Sequence, residues 1–525
     1  MKTTARARFL RTAFAAILAG QLACAGPAAG PEPIVYTVRF PSLETQVAEI
    51  EATVPTEGRA SVDLMMAVWS PGFYRVEDYA GKVASLSAHA PDGAALAVER
   101  PAGNRWRIDT GGHRSVVVTY RLSATGRSVT TNWVGPDYAV LNGPATFITL
   151  AGSTARPHEV RLELPPGWAR SMTGLDPAPD GLPHHYRAPD FDTLADSPIV
   201  AGNPVVSEFD VEGTRHLLVD IGERGEWNSA SAADKLARIV AEVAREWGGL
   251  PFERYVFLNV FRRGGGGLEH LNSTLLTSSP NPAAEPTLRW LKFAAHEYVH
   301  ALNVKRLRPV ELGPFDYERP PTTGSLWISE GLTTYYGDLA VARSGVGSLE
   351  DLLAGTSSRI RQLQASPGRL VQTLEQSSLG VWTNSTSGVG TDPATTVSYY
   401  VKGAVVGLLL DARIRRLTGD AKSLDDAMRL ALERFGGERG FTPEEFEATA
   451  AEVAGADLGG WFAHAIRSTA ELDYGEMLDW WGLRFAEADP DDPATAWALE
   501  VRPDATGEQR RHLEHLIQIP ELARS

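Results

Sequence analysis

The hydrophobic period of this chain changes once, near residue 210, and that change divides whatever it folds into. From about Pro33 to Val206, apolar residues recur at every second position, as in Tyr36/Val38/Phe40, Ile50/Ala52/Val54, Val116/Val118/Tyr120 and Val160/Leu162/Leu164, with Pro- and Gly-rich turns between them. Successive strand residues face opposite sides of a sheet, so this alternation predicts a β domain of sandwich or saddle type. Beyond Asp210, a strand-like His216-Leu217-Leu218-Val219 leads into Leu236, Ile239, Val240, Val243 and Trp247 at helical spacing, and a second domain begins there. Tyr255 to Phe261 reads as a buried strand ending in the run Gly264 to Gly267, after which helical patterns dominate to about residue 470. Thr442-Pro443-Glu444-Glu445, and more weakly Ser423 with Asp426, carry helix-start signals. The stretch Ser377 to Thr396, rich in Ser, Thr, Gly and Asn, reads as an exposed loop. The fold class is therefore α+β. A β domain over 31–206 is followed by a mixed domain over 207–400, a helical lobe over 401–483 and a short extension over 484–525. In the extension, Trp497 to Val501 reads as a strand and Glu508 to Ile517 as a charged helix.

A chain of 525 residues with 43% hydrophobic content can bury several cores. Its net charge of -15 argues against a general nucleic-acid or anionic-membrane binder. Lys2, Arg6, Arg8 and Arg11 precede the apolar run Ala13 to Ala19 and a set of small residues, so residues 1 to 30 read as a signal peptide and the protein as exported, periplasmic or secreted. The single cysteine, Cys24, ends Gln21-Leu22-Ala23-Cys24, which resembles a bacterial lipoprotein cleavage site and would anchor the chain through a lipid. Ordinary cleavage beside Ala23-Cys24-Ala25 is the alternative. Either way, intrachain disulfides, cysteine zinc sites and cysteine nucleophiles are excluded. No later apolar run is long enough to span a bilayer.

The chemistry gathers in the second domain. Phe293-Ala294-Ala295-His296-Glu297-Tyr298-Val299-His300 places two histidines four apart, on one face of a helix about a turn from each other. Neutral imidazoles suit zinc, although other divalent ions fit the same ligands, and Glu297 sits where it could take a proton from water beside the metal. A surface helix with two histidines is the plainer reading. Against it stands Leu326 to Tyr336, an amphipathic helix pattern carrying Glu330, with 29 residues between His300 and Glu330 for a loop and a return helix. Two histidines and a glutamate make a three-ligand set with an open position. Gly266-Gly267-Leu268-Glu269-His270 could bring backbone and a carboxylate to a substrate amine, or form a hairpin turn with an exposed glutamate. Ser398-Tyr399-Tyr400-Val401-Lys402-Gly403 opens a long apolar helix, where a phenol could serve an oxyanion or simply pack.

Taken together these motifs resemble the glycyl aminopeptidase family, gluzincin zinc peptidases related to aminopeptidase N and thermolysin. Trp69-Ser70-Pro71-Gly72-Phe73-Tyr74 with Asp78-Tyr79-Ala80 resembles the family's N-terminal β domain. Gly267 to His270, His296 to Pro309, Leu326 to Tyr336 and Tyr400-Val401-Lys402-Gly403 resemble its catalytic domain. The resemblance implies a thermolysin-like domain holding one zinc ion through His296, His300 and Glu330, with Glu297 as general base and then proton donor. It implies oxyanion stabilisation by Tyr400, selected over Tyr399 by the Tyr-x-Lys-Gly spacing, amine recognition by Glu269, and backbone contacts from Gly266 and Gly267. The expected substrates are peptides with a free N-terminal glycine or alanine. His270 departs from the asparagine of aminopeptidase N. Many members carry a C-terminal PDZ domain, for which the 42 residues after Leu483 are too few. An endopeptidase, another small-substrate metallohydrolase, or a non-catalytic binding protein on a peptidase fold are the competing readings. The sequence leaves the oligomeric state open.

Overall fold

A computed structural model of the protein describes residues 30–280, 282–383 and 393–518. The stretch read as an export signal, Cys24 included, lies outside the described residues, Gly30 excepted. Among the described residues no helix is long and apolar enough to cross a membrane.

The period-two segments form the expected sheets. Ile34–Ser42, Val47–Pro55 and Ser115–Ser123 lie at the middle of an eight-stranded sheet, and Ile34–Ser42 also pairs, in parallel, with His158–Glu163. Alternate residues Tyr36, Val38, Ile50, Val54, Val116, Val118, Val160 and Leu162 turn inward. They share one core with Val62, Leu64, Trp106 and Ile108 of a four-stranded sheet, which makes the sandwich. A second four-stranded sheet, ordered Arg170–Thr173, Ile199–Gly202, Tyr138–Leu141 and Trp133–Val134, faces the rest of the chain.

The catalytic sheet has the order Val205–Val211, Thr214–Gly222, Arg254–Phe261, Ser273–Ser278 and Gly267–Glu269. Its three middle strands are parallel and the last, short one is an antiparallel edge. Both faces of Arg254–Phe261 are buried: Val256, Leu258 and Val260 pack with Tyr138, Val140 and Val200 of the β domain, while Tyr255, Phe257 and Phe261 pack with the helices. That double burial is why the strand reads as an apolar run interrupted only by Asn259. The boundary drawn after residue 206 falls inside Val205–Val211, and the one after residue 400 falls inside the helix Tyr399–Thr418.

One expectation changes. The stretch from Ser377 is not all exposed loop: Leu374–Leu379 is a helix and Val381–Thr383 a short 3-10 turn, with Ser377 and Ser378 buried because their hydroxyls bond the carbonyls of Val397 and Leu374. Residues 384–392 of that stretch lie outside the described residues. The extension is packed. Its hairpin (Leu483–Phe485 with Leu499–Val501) and helix Gly507–Ile517 close on the lobe, and buried Arg343 bridges Glu246 and Asp425 while donating to the Leu516 carbonyl at 3.0 Å.

Candidate metal centre and substrate cleft

The helix Leu288–Val299 starts on Thr287, whose hydroxyl accepts from the Trp290 amide, and its apolar face packs against the catalytic sheet. This leaves His296, Glu297 and His300 at its C-terminal end. The two imidazole Nε2 atoms stand 3.0 Å apart with the rings nearly perpendicular, at 87°. His300 Nδ1 donates to the Asn303 carbonyl at 2.9 Å, which leaves the His300 Nε2 lone pair facing the centre. His296 Nδ1 meets the Thr334 hydroxyl at 3.3 Å.

Glu330 arrives from the next helical segment, its Oε2 3.2 Å from His300 Nε2 and 3.6 Å from His296 Nε2. The local geometry differs from the amphipathic helix expected. Trp327–Leu332 is a π-helical turn with every residue buried, and the α-helix Thr333–Arg343 follows it. The Asn303 side chain braces the turn by donating to the Ile328 carbonyl at 2.8 Å. Burial alone would push the Glu330 carboxyl up, but the facing His300 and His296 hold it at about 2. Two ring nitrogens and a carboxylate oxygen, all within 4.8 Å of one another, thus converge, with the far nitrogen of each imidazole already bonded. This donor set fits a zinc ion with a position left open.

The cleft beyond has a volume of about 470 Å³, and Glu269, Glu297, His296, His300, Glu330, Tyr400, Gly266 and Gly267 all line it. The structure therefore brings together the eight residues to which the resemblance assigns a role. Gly266 has a left-handed φ of 106°, and a β-carbon on Gly267 would fall 2.1 Å from a carboxylate oxygen of Glu297. Only glycine lets the edge strand pass that close. Burial, reinforced by Glu269 and Glu330, pushes the Glu297 carboxyl up to about 8 against the opposing pull of His300.

Glu269 is buried, not an exposed turn residue, and its Oε1 has no hydrogen-bond partner. Its neighbour His270 turns away from the cleft toward Asp196, with Nδ1 at 3.0 Å from Oδ1, and the same carboxylate oxygen accepts from Lys305 at 2.7 Å. Tyr400 stands with its ring centroid 6.2 Å from that of His296, whereas Tyr399 is fully buried and stacked against Tyr400 at 4.9 Å.

Other residues of the cleft carried no legible role in the sequence. Gly72 and Phe73 reach in from the β domain, and Gln362 and Ser398 line the remaining wall. The only sequence signal for the first pair is the family-like run Trp69 to Tyr74.

Comparison with known proteins agrees with this geometry. Residues 35–203 match the Peptidase M61 N-terminal domain and residues 289–406 match the M61 glycyl aminopeptidase domain, together more than half of the chain. The chain belongs to the M61 glycyl aminopeptidase family. Among solved structures this M61 chain is similar to an aminopeptidase N family protein from Idiomarina loihiensis, with 27% identity and a TM-score of 0.81 over 86% of this chain and 78% of that one. It shares the fold of an M1 zinc metallopeptidase from Deinococcus radiodurans, with 12% identity and a TM-score of 0.53 over 84% of this chain and 95% of that one. Among curated proteins, none matches significantly. Family and fold together identify an M61 peptidase of aminopeptidase type.

Proposed function

We propose that the protein is a zinc aminopeptidase that removes small residues, glycine or alanine, from the free N-termini of peptides, with water as nucleophile and Glu297 as general base. The observation that carries this reading is Glu269, a buried carboxylate with an unpartnered oxygen in the same cleft as the three converging donor atoms. A buried carboxylate oxygen calls for a donor, and a substrate ammonium supplies both the hydrogen bond and the opposite charge.

His296, His300 and Glu330 would hold the zinc ion. Bound there, zinc supplies Lewis acidity, which makes water nucleophilic near neutral pH and draws developing charge onto oxygen. Glu297, buried in the cleft beside the three converging donor atoms, takes the proton of the attacking water and returns it to the leaving amine. Tyr400 donates its phenolic hydrogen bond to the carbonyl oxygen as that oxygen gains charge. The edge strand Gly267–Glu269 has one neighbour in the sheet, so its free edge can pair with an extended peptide. Glu269 then fixes where the peptide begins.

Small side chains are favoured by the space beside Glu269. A cavity of about 40 Å³ there is walled by Trp69, Tyr74, Leu312 and Phe315, room for a methyl group but not for a large side chain. The export signal read over residues 1 to 30 would bring this site to peptides outside the cytoplasm.

Release of p-nitroaniline from glycyl- and alanyl-p-nitroanilide tests the reading, with the N-acetylated compounds alongside. Turnover of the free substrates and its loss on acetylation are expected. Comparable cleavage of the acetylated compounds would instead support an endopeptidase.

A further inference from the structure

A second cavity, of about 610 Å³, opens between the β domain and the catalytic sheet and shares no lining residue with the metal cleft. It lies where the parallel strands Thr214–Gly222 and Arg254–Phe261 end, since Ile221, Gly222 and Arg262 all line it. Crevices beyond the carboxyl ends of parallel strands are where sheets of this kind hold ligands.

Its polar groups are unbalanced. Arg262 is 2% exposed, and its Nη2 donates to the Ser128 carbonyl at 3.2 Å. Its Nε and Nη1 are buried and have no partner among the described residues. The Trp133 indole Nε1, of the same lining, is also buried and has no partner among the described residues. Every unmatched buried group at this cavity is thus a donor. A buried guanidinium that lacks a counter-charge is costly, so such groups are normally paired. Here burial pushes Arg262 down from its ordinary value, the Tyr138 phenol opposes that shift, and the nearby Arg127 adds to it. Arg127 itself lies over the Trp133 ring at 4.5 Å, and Arg224 adds a third cation to the lining. Asp137 and Glu223 also belong to the lining, and like Arg127 they are exposed, so solvent screens all three and the buried Arg262 is left as the one desolvated charge among the described lining residues.

We propose that this cavity binds a small organic oxyanion, a carboxylate or a phosphate ester. The anionic end meets Arg262 and the Trp133 indole, and the body packs among the rings of Trp133, Tyr138 and Trp168. The volume lies within the range of small-molecule sites, and acceptor oxygens are what the unmatched donors lack.

Isothermal titration calorimetry on the zinc-loaded protein with benzoate, phenyl phosphate and neutral benzyl alcohol is the test. At least one anion should bind with 1:1 stoichiometry while benzyl alcohol does not, and the tighter anion identifies the headgroup class. Arg262→Met should weaken that anion about ten-fold or more while leaving peptidase turnover in place. Trp133→Phe, which removes one N–H and keeps the ring, should weaken it several-fold and guards against misfolding of the first variant. Binding of neither anion would overturn the proposal. So would an affinity unchanged in both variants, because the anion would then sit elsewhere, at the metal centre first of all.

Discussion

Gly72 of the β domain lies so close to Glu269 of the catalytic edge strand that a β-carbon added to it would fall 2.3 Å from the carboxylate oxygen. The β domain therefore helps to wall the cleft through Gly72 and Phe73 and is not only a support for it. Gly72 also has a φ of 83°, a conformation that side-chain-bearing residues resist. Gly72→Ala should displace the Glu269 carboxylate and lower kcat/KM for free-amine substrates by about ten- to a hundred-fold, as expected when a positioning group shifts by an ångström. The loss should fall mainly on KM, with zinc content by mass spectrometry unchanged. Unaltered kinetics would mean that Glu269 has no fixed place in binding.

The two adjacent tyrosines should behave differently. Tyr400 lines the cleft and Tyr399 is closed off behind it. Removing an oxyanion donor typically costs about a hundred- to a thousand-fold in kcat, and Tyr400→Phe should show that loss with zinc retained. Tyr399→Phe should change kcat only a few-fold. The reverse order would move the role to Tyr399.

Glu330, with 29 residues between it and His300, and Tyr400, three before a glycine, are legible through the family resemblance, whereas the two-histidine helix is legible because it rests on local spacing, four residues on one helix. The strands of the β domain were legible for the same reason, since a face that alternates inward writes itself into the sequence. The contacts that assemble the cleft are of another kind. A β-carbon on Gly331 would fall 2.6 Å from the backbone of Gly403, so the Glu330 segment and the Tyr400 helix cross glycine to glycine. Nothing in either segment names the other. Gly72 and Glu269 likewise meet across a domain boundary that no period encodes. The π turn at Trp327–Leu332 reads as amphipathic because it carries the polar Ser329 and Glu330, yet both are as buried as its apolar neighbours. Ser377 and Ser378 misled similarly: composition suggested solvent, but their hydroxyls find carbonyls inside.

His158 gives a stability prediction away from the cleft. Burial pushes its imidazole from the ordinary 6.5 down to about 3, with its Nε2 3.0 Å from the Thr149 hydroxyl. The folded protein thus resists a proton that the unfolded chain accepts. Stability is complete above pH 6.5 and declines as the pH falls from there toward about 3. The linkage slope is about 1.4 kcal/mol per pH unit for one proton. Between pH 7 and pH 5, urea unfolding should show the wild type losing about 2 kcal/mol more than His158→Phe. Parallel pH profiles for the two proteins would contradict this assignment.

The central claim is that Glu297 moves the proton in a zinc-dependent cleavage at the N-terminus. Its most direct test is hydrolysis of glycyl- and alanyl-p-nitroanilide by wild type and Glu297→Gln at matched zinc content. The variant keeps the shape of the side chain and loses the base, so the account predicts turnover by the wild type and a loss of about a hundred-fold or more in the variant. A zinc-loaded variant that cleaves as fast as the wild type would contradict it.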